Sequence, residues 1–252
     1  VIGAAVNFAT NVTVSNTSGL LTFEGLIVGN GGVTLVGSGT TVFIGTNSYS
    51  GLTTITGGVL QLGNGTLNGS LGSGGLVDDG NLILNQGGNL LISNSISGTG
   101  SLTLIGSGTT ILAGNNTYAG PTWITNGTLQ IGNGGTSGTI GAGAISNNGT
   151  LAFNLSSSNL FSNAISGTGG VSQIGSGTLY ITGSNSYSGV TLIAAGSTLA
   201  IGDSTTNGNI GTGSVSNNGV FAFYHTDNLT FSNVISGSGD VVQFGIGTTT
   251  LT

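Results

Sequence analysis

Gly175-Ser-Gly-Thr-Leu-Tyr-Ile-Thr-Gly-Ser-Asn185-Ser-Tyr187-Ser-Gly189-Val-Thr-Leu-Ile-Ala-Ala-Gly196-Ser-Thr-Leu199 decides the fold, because it is one of three near-copies in the chain. Gly37, Gly39, Asn47, Tyr49 and Gly51 return as Gly106, Gly108, Asn116, Tyr118 and Gly120, then as Gly175, Gly177, Asn185, Tyr187 and Gly189. The step is 69 residues each time, and Gly245-Ile-Gly-Thr248 opens a further copy after 70. A second marker, Ile-Ser-Gly-Thr/Ser-Gly, starts at Ile96, Ile165 and Ile235. A fixed period on this scale signals stacked units, each unable to bury its apolar face alone.

Short runs of alternating apolar residues follow glycines throughout. Thr128-Leu129-Gln130-Ile131, Leu151-Ala152-Phe153 and Phe221-Ala222-Phe223 each put two large residues on one strand face. One proline and a scarcity of good helix formers leave helices unsupported. The glycines Gly58, Gly80, Gly100, Gly127, Gly149, Gly170, Gly196, Gly219 and Gly239 recur at steps of 20 to 27 residues, with a long step every third interval. This predicts an all-β, right-handed parallel β-helix with three coils per 69–70-residue repeat. About 11 coils at roughly 4.8 Å give an elongated solenoid of about 53 Å. Residues 1–252 read as one such domain: a partial repeat at 1–31, full repeats at 32–100, 101–169 and 170–239, and a partial repeat at 240–252.

The 252 residues contain no Lys, no Arg and six carboxylates, for a formal net charge of -6. Without cations, phosphate neutralisation fails, which excludes nucleic acid as a partner. A polybasic membrane anchor is excluded likewise. No apolar run reaches the ~18–20 residues of a membrane-spanning helix. There is no cysteine, hence no disulfide and no thiolate metal site. Trypsin has no cleavage site. Val1 is not an initiator Met, so a processed or excised chain is expected.

The quoted segment resembles the autotransporter-associated β-strand repeat: Gly-x-Gly-Thr-Leu-x-Leu-x-Gly-x-Asn-x-Tyr-x-Gly, then Thr-x-Val, then Gly-x-Leu. Residues 37–60 and 106–129 match equally well, and 245–252 begin another copy. The resemblance implies a bacterial, right-handed β-helical passenger at the cell surface, with the repeat serving export and folding. Two features depart from it. The family usually has Lys just before Gly-x-Gly-Thr, where Leu35, Leu104, Gln173 and Gln243 stand here. The outer-membrane barrel that normally ends such chains is absent from this sequence.

No catalytic, cofactor-binding or metal-ligating residue is expected. His225 and Asp227 share a strand face and read as a surface hydrogen bond. Glu24, Asp203 and Asp240 stand alone at different phases, and Asp78-Asp79-Gly80 reads as a variant of the turns Asn147-Asn148-Gly149 and Asn217-Asn218-Gly219. The three marker tyrosines read as packed residues, with a glycan-stacking row as the alternative. Trp123 reads as packed. Thr109–Thr110 and Thr248–Thr250 raise a remote ice-binding reading. Asn-x-Ser/Thr sequons, as at Asn11, Asn64 and Asn126, are expected by chance in this composition. Segments 132–144 and 203–214 are the best candidates for functional loop insertions.

The function expected is therefore an extracellular structural rod. Uncapped ends and scarce gatekeeping charge predict a homo-oligomer or filament formed end to end or side by side. The alternative is the stalk of an adhesin that meets a host surface or a glycan.

Overall fold

The computed structural model describes residues 1–252. All regular structure is β, in strands of two to four residues. Every pairing is parallel. Two compact units result: Val1–Leu129 with Gly138–Gly143, and Gln130–Ser137 with Ala144–Thr252.

In the first unit the chain turns through three sides before returning to its starting column. Leu76–Asp78, Asn81–Leu84 and Leu90–Ile92 take one side each, and Ile96–Ser97 then pairs with Leu76–Asp78. Strict register lets like residues stack from coil to coil. Leu60, Leu82 and Leu102 form one inward row, and Leu62, Leu84, Leu104 and Ile124 form another. All seven are 0–1% exposed. At about 1.5–3 kcal/mol per fully buried large aliphatic side chain, these rows are the main source of stability. Phe23 and Phe43 add an edge-to-face contact at 5.5 Å.

The second unit repeats the scheme. Leu179, Leu199 and Phe221 stack inward in register, as do Ile181, Ile201 and Phe223. Phe231 joins Phe221 and Phe223 with ring centroids 5.4 and 5.3 Å away.

The sequence repeat and the coil are not commensurate. From Val33 through Thr53 and Leu76 to Ile96, three coils take 63 residues. In the second unit, Val171 through Thr191 and Val215 to Ile235 takes 64. A 69–70-residue repeat is thus three coils and one further side. The next repeat opens on a new side: Ser101–Leu104 pairs with Asn81–Leu84, not above Ile96–Ser97. In the second unit Asp240–Gln243 pairs with Val220–Phe223, not above Ile235–Ser236. The step from Gly170 to Gly196, read from sequence as a longer coil, is an ordinary coil plus a move to the neighbouring sheet.

Polar corners complete the coils. Asn147 and Asn217 point inward; each accepts its second-next glycine's N–H and donates Nδ2–H to a carbonyl of the following coil, Gly170 and Asp240, at 2.8 Å. Asp78 occupies the same position in the first unit, in register with Ile55 and 1% exposed, and accepts from Gly80 at 3.0 Å. The turn expected from sequence is present, but its first carboxyl lies in the core. Burial pushes that carboxyl up to about 6. Asp79, outside, accepts from Thr99 N–H and Oγ1 at 2.9 and 3.0 Å, as Asn148 accepts from Thr168.

Candidate functional site

The Asn–Tyr–Gly signature forms a buried cassette, built the same way three times. Asn47 accepts from Ile27 N–H in the preceding coil at 2.9 Å and donates Nδ2–H to the Ser70 carbonyl of the following coil at 2.7 Å. Asn116 does so between Ile96 and Thr139, and Asn185 between Ile165 and Asn209. An amide is needed because one side chain must accept downward and donate upward.

Two residues on, the tyrosine rings of Tyr49, Tyr118 and Tyr187 are wholly buried. Each hydroxyl lies 2.7 Å from a threonine Oγ1 four residues later: Thr53, Thr122 and Thr191. The hydroxyls also accept from the N–H groups of Gly72, Gly141 and Gly211. Burial raises all three hydroxyls, Tyr118 to about 12. The rings are packed, as the sequence leads one to expect, and each hydroxyl bonds a threonine side chain. In the first unit Tyr49 and Tyr118 stand on different sides, against Ile27–Val28 and Ile96–Ser97 respectively. Buried and staggered, they form no ligand-stacking row.

The marker glycines are places where coils touch. A Cβ on Gly51, Gly120 or Gly189 would lie 2.2, 2.1 or 2.4 Å from the backbone of the coil below. Gly39, Gly106, Gly108, Gly175 and Gly177 are equally closed, and Gly37 adds a φ of +100°.

The segments expected as loop insertions are lids on these cassettes. Ala142 N–H donates to Tyr118 O at 3.1 Å, and Thr212 N–H to Tyr187 O at 2.8 Å. Asn209 returns a hydrogen bond to Asn185 O at 2.6 Å.

His225 corrects the expected surface hydrogen bond, for its ring is 5% exposed. Nδ1 lies 3.0 Å from Asp227 Oδ1 and Nε2 2.7 Å from Gly208 O, so both nitrogens are engaged. It fills the place that Gln86 takes in the first unit, where the amide bonds Leu62 O and Gly69 O. Asp203 closes its own turn, accepting from Thr205 and Thr206, which holds its carboxyl below the usual range. Glu24 and Asp240 lie exposed and apart. Trp123 differs from expectation: it faces outward beside Thr103 and is 40% exposed. Thr109 and Thr110 face opposite ways, with Thr110 sealed inside, so they build no flat threonine face.

Fold and buried signature together define a repeat β-solenoid. The repeat is the passenger-associated-transport-repeat, which matches residues 33–62, 102–131 and 171–201; the chain carries three copies of it. It is similar to the adhesin BmaC autotransporter of Brucella suis biovar 1 (strain 1330), 39% identical over 179 residues. That match covers 62% of this chain and 5% of the adhesin. The uncharacterized lipoprotein YdeK of Escherichia coli (strain K12) is 34% identical over 188 residues, covering 74% of this chain and 14% of the lipoprotein. An extracellular serine protease of Serratia marcescens is 48% identical over 61 residues, 24% of this chain and 5% of the protease. The chain thus spans a small fraction of each relative's length. No solved structure matches it. The repeat and these relatives place the chain at the cell surface or in the extracellular space. No helix is long and apolar enough to cross a membrane.

Proposed function

We propose that this chain is a spacer: a stiff β-solenoid stalk that holds other parts of a larger surface protein away from the cell. The supporting observation is where the repeated residues go. The asparagines and tyrosines that recur are buried inside each unit, joining coil to coil, and the glycines stand where coils press together. Adhesion to a host surface or glycan then belongs to regions the stalk carries. The test is excision of 101–169 from the full-length surface protein. The stalk should shorten by about 16 Å, at roughly 4.8 Å per coil, while display and adherence persist. Loss of adherence with display intact would overturn the reading.

Self-association into a fibre is a second reading, favoured by a chain with six carboxylates, one of them (Asp78) buried, and no Lys or Arg. Little charge opposes lateral contact. Sedimentation decides it: mass rising with concentration and insensitive to salt supports a fibre, and a constant 24.3 kDa species removes it.

A further inference from the structure

Asparagine followed by glycine is the sequence most open to intramolecular attack, because glycine leaves its own nitrogen unobstructed. The chain has eight such pairs, beginning at Asn30, Asn64, Asn68, Asn126, Asn133, Asn148, Asn207 and Asn218. Three share the tripeptide Asn-Gly-Thr, at 64–66, 126–128 and 148–150. Local sequence gives these three the same reactivity, so any difference among them must come from the fold.

The fold treats them differently. Gly65 N–H is tied to Asn85 O at 2.8 Å, and Gly149 N–H to Asn147 Oδ1 at 3.2 Å. Gly31, Gly69, Gly134 and Gly219 donate to Phe8 O, Gln86 Oε1, Asn154 O and Asn217 Oδ1. At Asn207 the side chain itself is held away, its oxygen accepting from Thr226 N–H at 3.0 Å. Asn126 alone has the opposite arrangement. Its side chain is exposed, and Gly127 N–H points at Asn126 Oδ1 from 2.9 Å. Since Oδ1 is bonded to Cγ, nitrogen and electrophilic carbon sit near the ~3–3.5 Å of a near-attack geometry. Gly127 holds this turn with φ +69°, a conformation that costs glycine nothing.

We infer that Asn126 is a self-modification site, where Gly127 nitrogen closes a succinimide ring on the Asn126 side chain in the folded protein. The Gly127 amide gives its proton to solvent base and its nitrogen bonds Cγ. The Cγ–Nδ2 bond breaks, and ammonia leaves with a proton from water. Water then opens the ring at either carbonyl, leaving aspartate or isoaspartate at position 126. No oxidant or cofactor takes part. The formal net charge changes from -6 to -7. Because the other two repeats have Gly57 and Ala195 in this place, the modification marks only the middle repeat.

The test is incubation of the native protein at mildly alkaline pH, with peptide mapping by mass spectrometry after chymotrypsin or pepsin digestion. Conversion at Asn126 should outrun that at Asn64 and Asn148. The same incubation in guanidinium should level the three. Preference for Asn64 or Asn148 in the native protein, or equal rates there, overturns the proposal, as does a preference for Asn126 that survives in guanidinium. Asn126→Gly, which installs the first repeat's residue, should abolish the native charge change on isoelectric focusing.

Discussion

The hydroxyl of Tyr118 lies 2.7 Å from Oγ1 of Thr122, with both side chains sealed at 0 and 1% exposure. The tyrosine ends one side of a coil and the threonine begins the next, so this contact closes a corner. Tyr118→Phe removes the hydroxyl and leaves Thr122 Oγ1 short of its buried partner. The expected loss is about 1–3 kcal/mol in urea unfolding. Tyr118→Phe combined with Thr122→Val should cost less than the two single losses added together. Additive losses would show that the two groups do not act as a pair.

Asp78 gives the chain a pH dependence of definite sign. Its folded pKa is raised from 3.8 to about 6, so the fold favours the protonated carboxyl. The contribution is fully present below the unfolded value, and is lost as pH rises through about 6. Asp79 is the neighbouring charge, and Tyr118 the neighbouring titratable group. Unfolding free energies from urea titrations should fall between pH 4 and pH 7 by roughly 2–3 kcal/mol. Asp78→Asn, which copies Asn147 and Asn217, should flatten the profile. A wild-type profile already flat across this range would refute the assignment.

Glycine positions should divide sharply. Gly120→Ala sets a methyl 2.1 Å from Gly100 O, whereas Gly135→Ala meets nothing within 4 Å. The first should cost about 1–3 kcal/mol or more. The second should change the thermal midpoint little, and comparable losses at both sites would contradict the stacking argument.

For His225, truncation should differ from replacement. His225→Ala strips Gly208 O of its partner and opens a void, at an expected cost of about 2–4 kcal/mol. His225→Gln restores an amide like that of Gln86 and should recover most of the loss. Equal damage from both variants would mean that the ring's shape, not its hydrogen bond, matters there.

Much of this was legible in the sequence. Alternation at Leu129/Ile131 and Phe221/Phe223, with glycine corners, leads directly to parallel coils. The resemblance carried by Asn185, Tyr187 and Gly189 leads to the repeat. What stayed hidden was phase. Glycine spacing counts residues between corners but does not say which corner follows, so a coil plus one side looks like a longer coil. Asp78 was hidden for a related reason. Sequence showed that Asp78-Asp79-Gly80 turns; only register with Ile55 showed which carboxyl faces inward. His225 was misjudged because its place is a core position in the neighbouring copies, where Gln86 and Leu155 stand. The lids at 132–144 and 203–214 looked like insertions because their partners, Asn116 and Asn185, lie a whole coil away.

The advance of each repeat by one side has a consequence for how such stalks can vary. Lengthening by one repeat does not simply add coils; the coil that follows also opens on a neighbouring side. Recombination that adds or removes repeats therefore changes which side the following coil opens on, along with the number of coils.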